Sequence, residues 1–178
     1  MDFALNDAVP VLARTPAVLR TLLAGLDRRW THADYGEGTW SPAEVVAHLI
    51  FGERTDWIPR ARIILEHGES RPLDPFDRAG HKDLLAGHSL DELLTLFERE
   101  RHASLAELQR LNPGPRDLER TGIHPRLGRV TLSNLLATWV AHDLNHIHQI
   151  CKGMAFQYEK AVGPWTQFLS ILAPPAPR

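Results

Sequence analysis

Cysteine is nearly absent from this chain. Cys151 stands alone among 178 residues, which excludes an intramolecular disulfide and a CxxC-type zinc site. An excess of either charge is missing too, since 20 Lys and Arg face 22 acidic residues for a formal net charge of -2. A nucleic-acid binder normally shows a basic patch or stripe, and attraction to a membrane surface needs a polybasic cluster; neither is present. No apolar run approaches the roughly 20 residues of a membrane-spanning helix. The first residues, MDFALNDAVP, lack the positive start and apolar stretch of a secretory signal. Repeats, low-complexity blocks and long linkers are absent, and β-branched runs are scarce. These absences point to one domain over residues 1–178 in a reducing cytoplasm, with neither nucleic acid nor membrane as partner.

Hydrophobic residues make up 43% of the chain, enough for a well-buried core, and they recur at helical spacing. A first helical region is expected over residues 5–30, with Thr15-Pro16 as a kink or restart. Ser41-Pro42-Ala43-Glu44 is a capping box with proline at the first helical position. It opens a second helix that runs to about His67, kinked by Pro59 and stopped by Gly68. Residues 69–88 read as a long loop. Ser89-Leu90-Asp91-Glu92 is a second capping box, and its helix ends at Asn112-Pro113-Gly114-Pro115. Another loop reaches Arg129. The fourth helix starts near Thr131, with Val130 and Leu135 as a hydrophobic staple, and ends near Gly153. A short helix over residues 157–172 and a proline-rich tail, 173–178, complete an all-α four-helix bundle with a short additional C-terminal helix.

Histidine is the abundant oddity, with ten residues. The segment LSNLLATWVAHDLNHIHQIC carries an apolar stripe through Leu132, Leu135, Leu136 and Trp139 that continues through His142, His146 and Ile150. Steps of three and four keep these on one face. His142 and His146 therefore occupy core positions, one helical turn apart. His48 is similarly displaced inside Val45-Val46-Ala47-His48-Leu49-Ile50. A buried imidazole needs a hydrogen-bond partner or a metal, because a buried unsatisfied polar group costs roughly 1–3 kcal/mol. Three such residues on two facing helices form a candidate three-nitrogen metal site, open to water or substrate as catalytic zinc sites are. The competing reading is three hydrogen-bonded core histidines. His148 should point to solvent, and His67, His81, His88, His102 and His124 receive no ligand role. Glu44 serves its capping box or reaches the site. Asp143 and Asn145 either orient an imidazole or lie solvated on the flank. Cys151 reads as a packed thiol, and Trp40, Trp139 and Trp165 as core or interface aromatics.

The segments GTWSPAEVVAHLIFGE (38–53), HPRLGRVTLSNLLATWVAHDLNHIHQI (124–150) and QYEKAVGPW (157–165), with Thr15-Pro16 and the leucines after it, resemble the DinB-like superfamily. These are damage-inducible four-helix bundles related to YfiT and to bacterial thiol S-transferases. The resemblance covers nearly the whole chain. It implies a divalent ion, often zinc or nickel, on one histidine of the second helix and an HxxxH pair of the fourth. Those positions fall here on His48, His142 and His146. It also implies a homodimer and, for some members, a low-molecular-weight thiol cosubstrate.

Three activities compete. The leading expectation is a metal-dependent thiol S-transferase acting on electrophilic small molecules, because a coordinated thiol is deprotonated. The alternatives are a metal-dependent hydrolase using acidified water and a non-catalytic metal-binding stress-response protein. The sequence offers no HExxH-like base for the hydrolase.

Overall fold

The computed structural model describes residues 2–173. Its helices are α1 (Leu5–Leu23), α2 (Arg28–Thr31), α3 (Pro42–Thr55), α4 (Trp57–His67), α5 (Lys82–Gly87), α6 (Leu90–Leu111), α7 (Pro115–Leu118), α8 (Leu132–Phe156) and α9 (Glu159–Val162), and a hairpin of β1 (Thr121–His124) and β2 (Gly128–Thr131) precedes α8. α1, the α3–α4 pair, α6 and α8 form a four-helix bundle. α1 packs on α6 and α8, and α3 packs on the same two, so the first and second bundle helices sit across a diagonal. None of the helices is long and apolar enough to cross a membrane, among the described residues.

The caps explain where the long helices begin. Ser41 Oγ accepts from the Glu44 amide at 3.3 Å, Ser89 and Glu92 close a full capping box, and Thr131 with Asn134 closes another. Each satisfies amides that the first helical turn leaves free. Val130 and Leu135 share one apolar cluster at the entry to α8, as a staple requires.

Several sequence expectations shift. The first helix ends at Leu23, and α2 is a separate turn capped by Asp27. Pro16 does not restart α1, which runs through it without a break. Proline removes the donor to the carbonyl four residues back; here that carbonyl is Leu12 O, and Arg101 Nη1 donates to it at 2.8 Å. The second helix breaks at Asp56 rather than Pro59, because Pro59 falls in the first turn of α4, where its missing N–H is not needed. The expected loops contain α5 and the hairpin, which pairs Thr121 with Thr131 and His124 with Gly128. The helix expected over 157–172 is a chain of short turns, interrupted where Gly163 adopts φ 59° before Pro164. Of the tail, residues 174–178 lie outside the described residues.

Among the described residues the core has two apolar clusters. One gathers Leu12, Trp57, Ile64, Leu108, Leu136 and Trp139, and the other Leu19, Val46, Ile50, Leu93, Phe97 and Ile150. Between them lies a charged layer with one residue from each bundle helix. Arg101 reaches Glu53 Oε1 from Nη2 at 2.8 Å and Asp143 Oδ2 from Nη1 at 2.5 Å. Thr15 donates its hydroxyl to Asp143 Oδ2 at 2.6 Å, and Trp139 Nε1 donates to Glu53 Oε1 at 3.0 Å. Arg101 and Asp143 are 0% exposed, so these contacts carry the whole burden of replacing water around their charges.

Candidate metal centre

α3 delivers His48 and α8 delivers His142 and His146. His48 and His146 are buried, at 6% and 7% exposure, while His142 sits at the partly exposed edge of the α8 stripe. The true inward position beside it is Asp143, so the stripe runs Trp139, Asp143, His146, Ile150. Asp143 is therefore part of the charged layer rather than a solvated flank residue, whereas Asn145 and His148 face solvent.

The three Nε2 atoms converge. His48 Nε2 lies 3.2 Å from His142 Nε2, and His146 Nε2 lies 3.1 Å from the same atom. One ring nitrogen from each residue falls within 4.8 Å of the other two, a group that could hold a metal ion. Hydrogen bonding alone does not satisfy this arrangement. His146 Nδ1 meets Gln149 Oε1 at 2.8 Å, so it carries the proton and Nε2 presents a lone pair. A proton on His142 Nε2 can serve only one of its two neighbours well. Nδ1 of His48 and of His142 is buried without a partner among the described residues. Two nitrogens at about 2.1 Å from one ion at a tetrahedral angle stand roughly 3.4 Å apart, close to the spacing seen. The donors fit a borderline cation such as zinc or nickel.

The electrostatics favour ligand-ready imidazoles. Burial, reinforced by His146 and His81, holds His48 at about 3. Burial, with His146, His48 and Arg101, does the same for His142, also about 3. Burial lowers His146 as well, against opposition from Gln149 and Asp143. All three are neutral at pH 7, the form that binds metal.

Two neighbours escaped the sequence reading. Trp40, expected to be a core or interface aromatic, stands over the site, its ring 4.9 Å from His48 and 6.4 Å from His146, stacked on the latter. His81, in the segment read as loop, is 1% exposed and packs 4.8 Å from Trp40. Its Nε2 lies 3.2 Å from Glu44 Oε1, which draws that carboxylate away from the capping box and from the ion site. The order Trp40-Ser41 before a capped helix was the available signal for Trp40; nothing local announced His81. Trp139 is a core residue, stacked on Trp57 at 5.7 Å, while Trp165 is 67% exposed. Cys151 is half-buried and unpaired.

The histidines form part of the lining of an open pocket of about 1180 Å³. The Tyr35–Trp40 loop, Gln149, the Pro75–Arg78 segment and the hairpin turn around Arg126 supply other parts of its wall. An ion on three nitrogens there would keep coordination positions facing this space, as catalytic sites do.

Comparison with known proteins places the chain. Residues 12–150 match the model of the DinB superfamily. A curated protein of Oceanobacillus iheyensis, OB0782, which carries the provisional name of a metal-dependent hydrolase, is 23% identical over 154 residues, covering 85% of this chain and 88% of its own. Among solved structures, YfiT from Bacillus subtilis, described as a probable metal-dependent hydrolase with an unusual four-helix bundle topology, superposes with a TM-score of 0.70. That pair is 22% identical and covers 88% of this chain and 86% of YfiT, a likeness of fold.

Proposed function

The chain belongs to the DinB superfamily, and from that membership and its three-histidine cluster we propose that it is a metal-dependent hydrolase of small molecules. The observation that carries the reading is the convergence of three neutral imidazole nitrogens at an open pocket. His48, His142 and His146 would hold the ion. A divalent ion on such a site supplies Lewis-acid polarisation of a carbonyl and acidifies water.

The protein's own residues set the conditions for that chemistry. Gln149 fixes the His146 ring through Nδ1, and Trp40 covers His48 and His146 on one side. The charged layer beneath anchors α8 through Asp143, the residue next to His142. The names carried by OB0782 and YfiT favour hydrolysis over the thiol transfer expected from the sequence. Thiol transfer uses the same open face and is the second reading, with a low-molecular-weight thiol as cosubstrate. The proposal places one such domain in the cytoplasm as a homodimer, which sedimentation would test.

The deciding experiment offers the zinc- or nickel-loaded protein a panel of activated esters and amides, with and without a low-molecular-weight thiol. Turnover without thiol, lost in His48→Ala, supports hydrolysis. Turnover only with thiol, forming a thioether, assigns the transferase instead. Metal binding without either reaction assigns a non-catalytic protein.

A further inference from the structure

We propose that the pocket over the three histidines takes a small molecule bearing an oxyanionic group, a carboxylate or phosphate, which docks on Arg78, Arg126 and His124. This deepens the hydrolase reading and rests on it for the position of the reacting bond.

The chain is slightly acidic overall, with a formal net charge of -2, yet three separate segments bring arginines to this one pocket: Arg60 from α4, Arg78 from the segment before α5, and Arg126 from the hairpin turn. Arg60 is already engaged, with Nη1 2.6 Å from Asp56 and Nη2 donating to Asp74 O at 2.9 Å. Arg78 and Arg126 are exposed and make no ion pair among the described residues. Of the two acidic residues in the wall, Asp56 is tied to Arg60, and Glu37 belongs to the Tyr35–Trp40 loop. The unspent positive charge therefore lies on the Arg78 and hairpin segments.

His124 adds a directed donor. Its Nδ1 accepts from the Arg126 amide at 3.1 Å and the Leu127 amide at 3.2 Å. In the neutral ring this fixes the proton on Nε2, which is left to donate to an acceptor. Burial, followed by the positive charges of Arg60 and Arg126, keeps His124 below its ordinary value, so the ring is a neutral donor at pH 7. Two guanidinium groups and one fixed N–H match an oxyanion, since charge-assisted forks suit both carboxylate and phosphate. All three line the same pocket as the ligand histidines.

The test compares binding of glutarate, glutaramide and inorganic phosphate by calorimetry, in protein with its metal content measured by mass spectrometry. The comparison is repeated after chelation, so that carboxylate binding to the ion itself is removed. Glutarate or phosphate should bind the chelated protein about tenfold or more tightly than glutaramide; the tighter of the two names the anion. Arg78→Gln with Arg126→Gln should erase that preference without changing metal content, and both side chains are exposed, so the fold is spared. Equal binding of acid and amide, or a preference that survives in the double variant, would overturn the proposal. A preference that depends on both arginines in a protein that never holds metal would support the docking site while removing the hydrolase reading.

Discussion

Arg101 Nη1 stands 2.5 Å from Asp143 Oδ2, which ties the residue beside His142 to a guanidinium of α6, across the bundle from α8, with both side chains 0% exposed. The same guanidinium binds Glu53 and supplies the donor that Pro16 denies to Leu12 O. One side chain thus links all four bundle helices. Burial pushes the Glu53 carboxyl up and Arg101 opposes it, while the two carboxylates hold Arg101 above its ordinary value despite burial.

Removing Arg101 leaves two buried carboxyls without a countercharge and the Leu12 carbonyl without its donor. Arg101→Ala should cost about 3–5 kcal/mol, or roughly 10 °C or more in Tm for a chain of this size, read by thermal and denaturant melts. Replacing Arg101, Glu53 and Asp143 together with Met, Leu and Leu should recover part of that loss, the rest persisting because Leu12 O, the Thr15 hydroxyl and Trp139 Nε1 lose their partners. A triple variant as unstable as Arg101→Ala would contradict the account.

Acid should destabilise the metal-free protein through the ligand histidines. His48 and His142 are held at about 3 when folded, against about 6.5 in the unfolded chain. Between those values the unfolded state binds more protons, so stability rises with pH there and is flat above. The penalty begins as pH falls through 6.5 and is complete below about 3. A His48→Asn, His142→Asn variant should show a shallower loss of Tm between pH 7 and pH 4; an unchanged slope would remove the assignment.

Trp40 should report on the site. Its ring is 4.9 Å from that of His48, so nickel or cobalt bound there should quench its fluorescence. Trp57, whose ring is 5.1 Å from that of His142, should share the quenching, so Trp40→Phe should lose a clear part of it while keeping the ion. Full quenching in that variant would place the metal elsewhere.

The hairpin that carries His124 is seated by close contact. A Cβ on Gly122 would meet Ile64 Cγ1 at 2.8 Å, and overpacking of this kind costs about 1–3 kcal/mol. Gly122→Ala should therefore lower Tm by a few degrees. A neutral effect would show that the hairpin can shift freely.

Much of this was legible in the sequence because strong local rules act at single residues. Ser41, Ser89 and Thr131 mark real helix starts, and the steps from Trp139 to His142, His146 and Ile150 expose the candidate ligands. The charged layer was legible in principle. Phe97, Arg101, Ser104 and Leu108 keep one helical face, as do Ile50 and Glu53. A charge on such a face reads as solvated until its partner on another helix is known. Asp143 and His142 differ by only one residue, about 100° around the helix, too little for periodicity to tell which of them faces inward. The hairpin's four-residue strands and the short α5 escaped because their stability comes from pairing and docking, not from periodicity. His81 and Glu44, 37 residues apart, meet only through the fold.

The central claim is most directly tested by metal content. Mass spectrometry on untagged protein, reconstituted under reducing conditions, should find a stoichiometric divalent transition metal, lost in both His48→Ala and His142→Ala. Protein that takes up no metal, or variants that retain it fully, would contradict the claim and leave three core histidines in a helix bundle.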